Sequence, residues 1–244
     1  MARLRAVEHT VGLPSNAHEL IAVRVSDAIV GRQSIRAFQS DRMVNDEQIE
    51  QLLNIAGRAP SGSNIQPWHV YVVRGERKER ITEACSARYL SGDEGAYEYA
   101  YYPREWRQPY IGRRRQTGFG LYGLLGIDRK DDAAVKRYRV QNYQFFGAPV
   151  GLFFTIDRDM EQGSWLDYGM FLQSFMLAAR EMEMETCAQA AFCPYHDSVM
   201  PILAAPAEQM LVCGMSLGYA DPDALVNTYR TDRLDAREFM TVLQ

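Results

Sequence analysis

Two pairs of arginines stand out as groups that could bind an anion. Segment 32–36 reads Arg-Gln-Ser-Ile-Arg, and Arg230 and Arg233 form a second pair near the end of the chain. A guanidinium donates two parallel hydrogen bonds to phosphate oxygens, so two of them beside a serine suit a phosphate monoester. Each pair alone could be a solvated, charged turn. Together they predict a single anionic ligand that is held from several sides.

A polar loop at residues 58–68 is a second candidate for binding. It reads Arg-Ala-Pro-Ser-Gly-Ser-Asn-Ile-Gln-Pro-Trp. Proline restricts the backbone, so the small polar residues between Pro60 and Pro67 should form a rigid loop whose N–H and hydroxyl groups are free to bind a ligand. A well-made turn would explain such a segment by itself. The arginine segment upstream favours a binding site.

Other motifs argue against several kinds of chemistry. Gly118 to Gly123 fits the dinucleotide pattern Gly-x-Gly-x-x-Gly, but no apolar strand precedes it, so we interpret it as a coincidence. The four histidines lack the spacing of metal ligands, and no metal site is predicted. Ser61 lacks the Gly-x-Ser-x-Gly elbow of hydrolases. The four cysteines form no Cys-x-x-Cys pair and are expected to be buried thiols.

Composition limits the class of protein. With 244 residues, of which 47% are hydrophobic and 24% charged, the chain can bury one sizeable globular core. Its net charge of −4 would not drive it onto nucleic acid or an anionic membrane, so any phosphate must be held by local clusters. No apolar stretch approaches the roughly 20 residues that span a bilayer, and the N-terminus lacks an apolar signal core. We therefore expect a cytoplasmic protein.

Hydrophobic periodicity predicts helices alternating with strands, which indicates an α/β or α+β protein. Residues 1–16 are expected to form a loose arm. A helix should then run from about Asn16 to about Val30, where Gly31 ends it, with Leu20, Val23, Ala28 and Ile29 among its buried positions. This places the arginine segment just past a helix end. Further helices are predicted at about 76–90, 131–146, 165–184 and 195–203, and strands at about 68–73, 150–156 and 209–217.

Several local features refine this scheme. Asn45 and Gln48 should form a capping box on the helix that leads into the polar loop. Residues 92–115 are rich in tyrosine and then arginine, without a clean period, and should be an irregular excursion. It could contact substrate or, equally well, form a surface or dimer contact. The apolar helix at 165–184 is expected to be buried all round, as the central helix of the core or of a dimer interface. Residues 186–192 are expected to be a loop of small residues.

Together these stretches resemble the FMN-dependent nitroreductase family. The similarity extends over roughly residues 24–240 and rests on segments 32–36, 59–68, 147–149, 185–192 and 233–234. It implies an α+β sandwich, with a central, mostly antiparallel sheet flanked by helices. It also implies one FMN-binding domain over residues 17–244, in an intertwined homodimer with two FMN sites at the interface. The extended segment after Asp221 would lie across the partner subunit.

The resemblance also implies roles for individual residues. Arg32 and Arg233 would bind the FMN phosphate, and Arg36 would stabilise the negative charge of the reduced flavin. Residues 60–64 would reach the flavin from the other subunit, and the backbone N–H groups of residues 188–190 would face flavin N5. The full expected cofactor-binding set is Arg32, Gln33, Ser34, Arg36, Pro60, Ser61, Ser63, Asn64, Gln144, Ala188, Gln189, Ala190, Arg230 and Arg233.

The activity implied by the resemblance is hydride transfer from NADH or NADPH, through FMN, to a nitroaromatic, quinone or similar electron-poor acceptor. One open flavin face would serve donor and acceptor in turn, which predicts ping-pong kinetics without a catalytic nucleophile. One alternative is other flavin chemistry on the same scaffold, such as reductive dehalogenation, enoate reduction or flavin fragmentation. Another is a non-catalytic, flavin-binding regulatory module whose tyrosine-rich excursion docks a protein partner.

Overall fold

A four-stranded sheet forms the centre of the protein. The structure is a computed structural model that describes residues 24–244. The strands are β1 (His69–Val73), β2 (Val150–Asp157), β3 (Glu185–Gln189) and β4 (Gln209–Gly218). Their order is β1-β2-β4-β3, and each neighbouring pair is antiparallel. The predicted α+β class with a mostly antiparallel sheet is confirmed.

Helices cover both faces of this sheet. They are α1 (Val25–Gly31), α2 (Asp46–Ala56), α3 (Gly75–Ser91), α4 (Tyr110–Leu124), α5 (Asp132–Arg139), α6 (Gln162–Glu181) and α7 (His196–Leu203). Helices α2 and α6 pack on one face and α3 and α7 on the other. Within the described part of the chain, none of the helices is long and apolar enough to cross a membrane.

The core is divided in two by the alternation of side chains along β2. Leu152, Phe154 and Ile156 face α2 and α6, whereas Phe153 faces the opposite way into an aromatic cluster. Every residue of β2 from Val150 to Ile156 is buried, so the strand reads as a continuous apolar run rather than an alternating one. Side chains of β2 therefore contribute to the core on both faces of the sheet.

The structure corrects three predicted elements. The helix predicted to reach residue 146 ends at Arg139 and is followed by a 3-10 turn at Val140–Asn142; Phe145 and Phe146 then adopt positive φ angles of 52° and 53°, which an α-helix cannot contain. The predicted loop of small residues at 186–192 begins as β3, which pairs with β4. The excursion at 92–115 is not irregular throughout, since α4 begins at Tyr110.

The glycine motif at 118–123 lies inside α4 and makes no strand-to-helix turn.

Two predictions of burial also need correction. Helix α6 is not enclosed on all sides in the single chain, since Leu166 is 71% exposed. Ile29 in α1 is 50% exposed, whereas Ala28 is buried as predicted. Both exposed side chains are apolar, so these helices leave hydrophobic surface uncovered. The predicted N-terminal arm, the helix start near Asn16 and the predicted burial of Leu20 and Val23 lie outside the described residues.

The capping box of α2 is confirmed and provides a test of local stability. The Gln48 N–H donates to Asn45 Oδ1 (2.8 Å), and the Asn45 N–H donates to Gln48 Oε1 (3.0 Å). We expect Asn45→Ala to lower the free energy of unfolding in urea by about 1 kcal/mol, because it leaves helical N–H groups unpaired. Asn54→Ala, at an exposed site in the same helix, is the matched control. Equal losses in the two variants would contradict a capping role.

Candidate functional site

A cavity of about 700 Å³ lies beyond the end of α1 and is lined by four arginines. Arg32 and Arg36 follow α1, whereas Arg230 and Arg233 come from the C-terminal tail. Gln33 and Ser34 also line it, together with apolar residues of α1. No acidic residue lines the cavity, and within residues 24–244 none of the four arginines forms a salt bridge. We call it the arginine cavity.

The positive charge in this cavity is concentrated and only partly hydrated. Burial lowers the pKa of the Arg32 guanidinium, and the nearby charges of Arg233 and Arg230 lower it further. Arginine stays protonated in spite of such shifts. The like charges therefore repel one another across the cavity, and a bound anion would relieve that repulsion.

Asn227 in the tail positions the arginine segment, and the sequence analysis missed it. Its side-chain oxygen accepts from the Arg36 N–H (2.9 Å), and its amide donates to the Ala37 carbonyl (2.8 Å). Gln33 Nε2 donates to the Asn227 carbonyl (2.7 Å). No local motif marks this asparagine, because its partners in the arginine segment lie about 190 residues away in the chain.

Two groups that the sequence analysis did not assign to a site lie near Arg36, behind the residues that line the arginine cavity. Burial raises the pKa of the Cys187 thiol to about 11, although Arg36 lies nearby, so this cysteine is not a thiolate at neutral pH. Burial raises the pKa of Tyr138 to about 12. The Tyr138 hydroxyl has no hydrogen-bond partner among the residues that the structure describes. All four cysteines are buried, as predicted.

A second cavity, of about 540 Å³, lies beside the end of β3. Residues 188–190 line it, with Tyr99, Tyr101 and Trp165 among the aromatic side chains. None of its lining residues carries a charged side chain. A planar, uncharged ring would therefore fit its chemistry. We call it the aromatic cavity.

Strand β3 directs some of its backbone groups to its outer side, away from β4. The Thr186 carbonyl accepts from the Ile35 N–H (3.1 Å) and so faces away from β4. Because backbone groups alternate along an antiparallel strand, the N–H and carbonyl of Ala188 face outward as well. The Gln189 side chain is buried and donates to the Asn142 carbonyl (2.6 Å). By the same alternation the backbone groups of Gln189 face β4, so neither its backbone nor its side-chain amide is directed outward.

The polar loop at 58–68 is held rigidly but lines neither cavity of its own chain. The Gly62 N–H donates to Asp167 Oδ2 (3.0 Å), and Ser61 Oγ accepts from the Gln66 N–H (3.0 Å). Ser63 and Asn64 adopt positive φ angles of 50° and 59° and are exposed. The residues from the expected set that line neither cavity are Pro60, Ser61, Ser63, Asn64 and the exposed Gln144.

Comparisons with known proteins agree with this fold. The profile of the Nitroreductase family matches residues 29–219. A 4-nitrobenzoate reductase of Pseudomonas putida is 41% identical over 87% of this chain and 93% of its own length. The crystal structure of the FMN- and NADPH-dependent nitroreductase NfnB from Sphigopyxis sp. strain HMH has a TM-score of 0.87 at 39% identity, covering 91% of this chain and 99% of that chain.

A third comparison includes a nicotinamide dinucleotide. FMN-dependent NfnB from Mycobacterium smegmatis, solved in complex with NADPH, has a TM-score of 0.84 at 32% identity, covering 90% of this chain and 97% of that chain. The chain is thus an α+β protein in which an antiparallel sheet lies between helical layers and an arginine-lined cavity lies beside the sheet. The chain belongs to the nitroreductase family.

Proposed function

We propose that this protein is an FMN-dependent oxidoreductase that transfers hydride from NADPH or NADH to a nitroaromatic, quinone or similar electron-poor acceptor. The observation that carries the proposal is the arginine cavity, in which four guanidiniums meet without an acidic partner in the lining. Relatives that align over nearly their whole length are named nitroreductases, and this supports the same activity here.

The donors in the arginine cavity fit the phosphate of FMN. Arg32, Arg230 and Arg233 supply charge-assisted hydrogen-bond donors for a dianion, and Ser34 adds a hydroxyl. Bound FMN supplies a ring that accepts and returns a hydride. Arg36 provides a positive charge that stabilises the negative charge developing on that ring. The outward-facing backbone of Ala188 and the uncharged aromatic cavity beside it leave room for an aromatic acceptor.

We further propose that the active form is a homodimer. Apolar side chains on α1 and α6 are unusually exposed in the single chain, including Val30 (80%) and Leu166 (71%). Burial of these residues against a second copy would remove apolar surface from water. The same arrangement would bring the polar loop at 58–68, which lines neither cavity of its own chain, to the site of the partner.

Purification followed by spectroscopy and turnover assays tests this proposal. We expect a yellow protein that oxidises NADPH or NADH when nitrobenzene, 4-nitrobenzoate or a quinone is added, with mass spectrometry showing the reduced acceptor. A protein that stays colourless after FMN is added would overturn the proposal. A flavin-loaded protein that oxidises neither donor with any acceptor would instead indicate a regulatory module. Products of reductive dehalogenation, of enoate reduction or of flavin fragmentation would instead show that the same fold carries out one of those reactions.

A further inference from the structure

A second cluster of arginines lies outside the site described above. Helices α4 and α5 enclose a groove of about 440 Å³ that is lined by Arg114, Arg115, Arg129 and Arg139. No acidic residue lines this groove, and in the described range 24–244 none of its four arginines forms a salt bridge. The net charge of the whole chain is −4, so this local excess of positive charge is not a property of the protein surface in general.

Aromatic side chains hold several of these arginines without neutralising them. The Arg129 guanidinium lies 3.6 Å from the centre of the Phe119 ring, and Arg139 Nε donates to the Tyr122 hydroxyl (2.9 Å). The Arg114 guanidinium lies 4.5 Å from the centre of the Trp106 ring. A guanidinium that stacks on a ring keeps its charge and its in-plane donors. The groove is therefore arranged to bind an anion that carries an aromatic group.

Helix α4 separates this groove from the arginine cavity. Tyr229 lines the arginine cavity and donates to the Thr117 carbonyl on α4 (2.9 Å). On the groove side, the Tyr122 ring packs edge-on against Tyr138, with 5.9 Å between their centres, and Tyr138 in turn lies near Arg36. The two sites therefore lie on opposite sides of α4. An extended dinucleotide whose nicotinamide reaches the flavin could place its other end in the groove.

We propose that the groove between α4 and α5 binds the phosphorylated adenosine of NADPH and makes the protein prefer NADPH to NADH. This inference rests on the proposed function, which requires a nicotinamide donor. The FMN phosphate accounts for the arginine cavity, so the second arginine cluster calls for a second phosphate-bearing ligand. NADPH differs from NADH by a phosphate monoester on the adenosine ribose, and arginine is the side chain that accommodates this group in other dinucleotide sites. The half-exposed Phe119 ring also lines the groove and supplies apolar surface for the adenine.

Donor kinetics of groove variants test the inference. We expect Arg115→Gln and Arg129→Gln each to raise the KM for NADPH by about tenfold, and to change the KM for NADH by less than about threefold, since each removes a charge-assisted contact to the phosphate. The FMN content should not change. Arg137→Gln, at an exposed position of α5 outside the groove lining, is the matched control and should leave both KM values unchanged.

Direct binding separates this inference from the proposed function. Calorimetry on the FMN-loaded protein should show that adenosine 2′,5′-bisphosphate binds, that adenosine 5′-monophosphate binds at least about tenfold more weakly, and that Arg129→Gln abolishes the difference. Equal affinity for the two nucleotides, or equal losses with NADPH and NADH in the variants, would overturn the assignment of the groove. In that case, continued turnover with either donor would leave the proposed function intact.

Discussion

Replacing Arg32 with alanine is expected to weaken FMN binding by about 1.5 to 3 kcal/mol, or roughly ten- to a hundredfold in Kd. The reason is that burial lowers the pKa of the Arg32 guanidinium, and the nearby charges of Arg233 and Arg230 lower it further. A phosphate dianion would stabilise this charge, so the removal of the guanidinium should weaken binding. Fluorescence titration of the FMN-free protein with FMN measures the change.

Two further variants make the Arg32 result interpretable. Arg32→Lys keeps the charge but loses the bidentate geometry, and we expect an intermediate Kd. Arg80→Ala removes an exposed arginine from α3 and should leave FMN binding unchanged. An Arg32→Ala variant with the Kd of the parent protein would show that the phosphate lies elsewhere.

Replacing Phe192 with alanine is expected to lower the free energy of unfolding by about 3 to 5 kcal/mol, the usual cost of a large cavity in a packed core. Phe192 is fully buried, and its ring lies 4.9 Å from that of Phe145 and 5.0 Å from that of Phe153, measured between centres. A Cβ at Gly214 would lie only 2.7 Å from the Phe192 ring, so the strand leaves space for this one side chain. Urea unfolding gives the measurement.

The conditions of the Phe192 experiment matter because ligands stabilise folded proteins by mass action. Both the variant and the parent protein should be compared at the same protein concentration and the same excess of FMN. Phe119→Ala removes a half-exposed ring of the same size and should change the unfolding free energy by less than about 1 kcal/mol. A similarly small loss for Phe192→Ala would mean that the aromatic cluster repacks around the missing ring.

The sequence was most informative where the signal is local. The Asn45 capping box, the apolar strand β2 and the end of α1 before the arginine segment all depend on residues a few positions apart, and the structure has each of them. Strand β3 was missed because its five residues show no apolar run, and its assignment as a strand depends on pairing with β4. The predicted helix was carried too far because the change to a 3-10 turn at Val140–Asn142 and the positive φ angles at Phe145 and Phe146 have no signature in the residue types.

The types of residue in the sequence were enough to predict an anion-binding site, but they did not show which other residues support it. Guanidiniums spaced around a serine predicted an anion site, and the structure places both arginine pairs in one cavity. The supporting residues could not be found in the same way. Asn227 acts through hydrogen bonds to a segment far away in the chain, and Tyr138 is notable because its buried hydroxyl has no hydrogen-bond partner within residues 24–244. The groove between α4 and α5 likewise needs the packing of two helices to bring its arginines together.

Because β3 is an edge strand of the sheet, it affects how readily the protein aggregates in the cell. An unprotected strand border can recruit strands from other molecules and so start aggregation. Here the outward-facing backbone groups of Ala188 belong to that border, and a bound flavin would shield them. Production in riboflavin-starved cells should therefore yield more insoluble protein than production with ample vitamin, and the soluble yield should follow the supply of flavin.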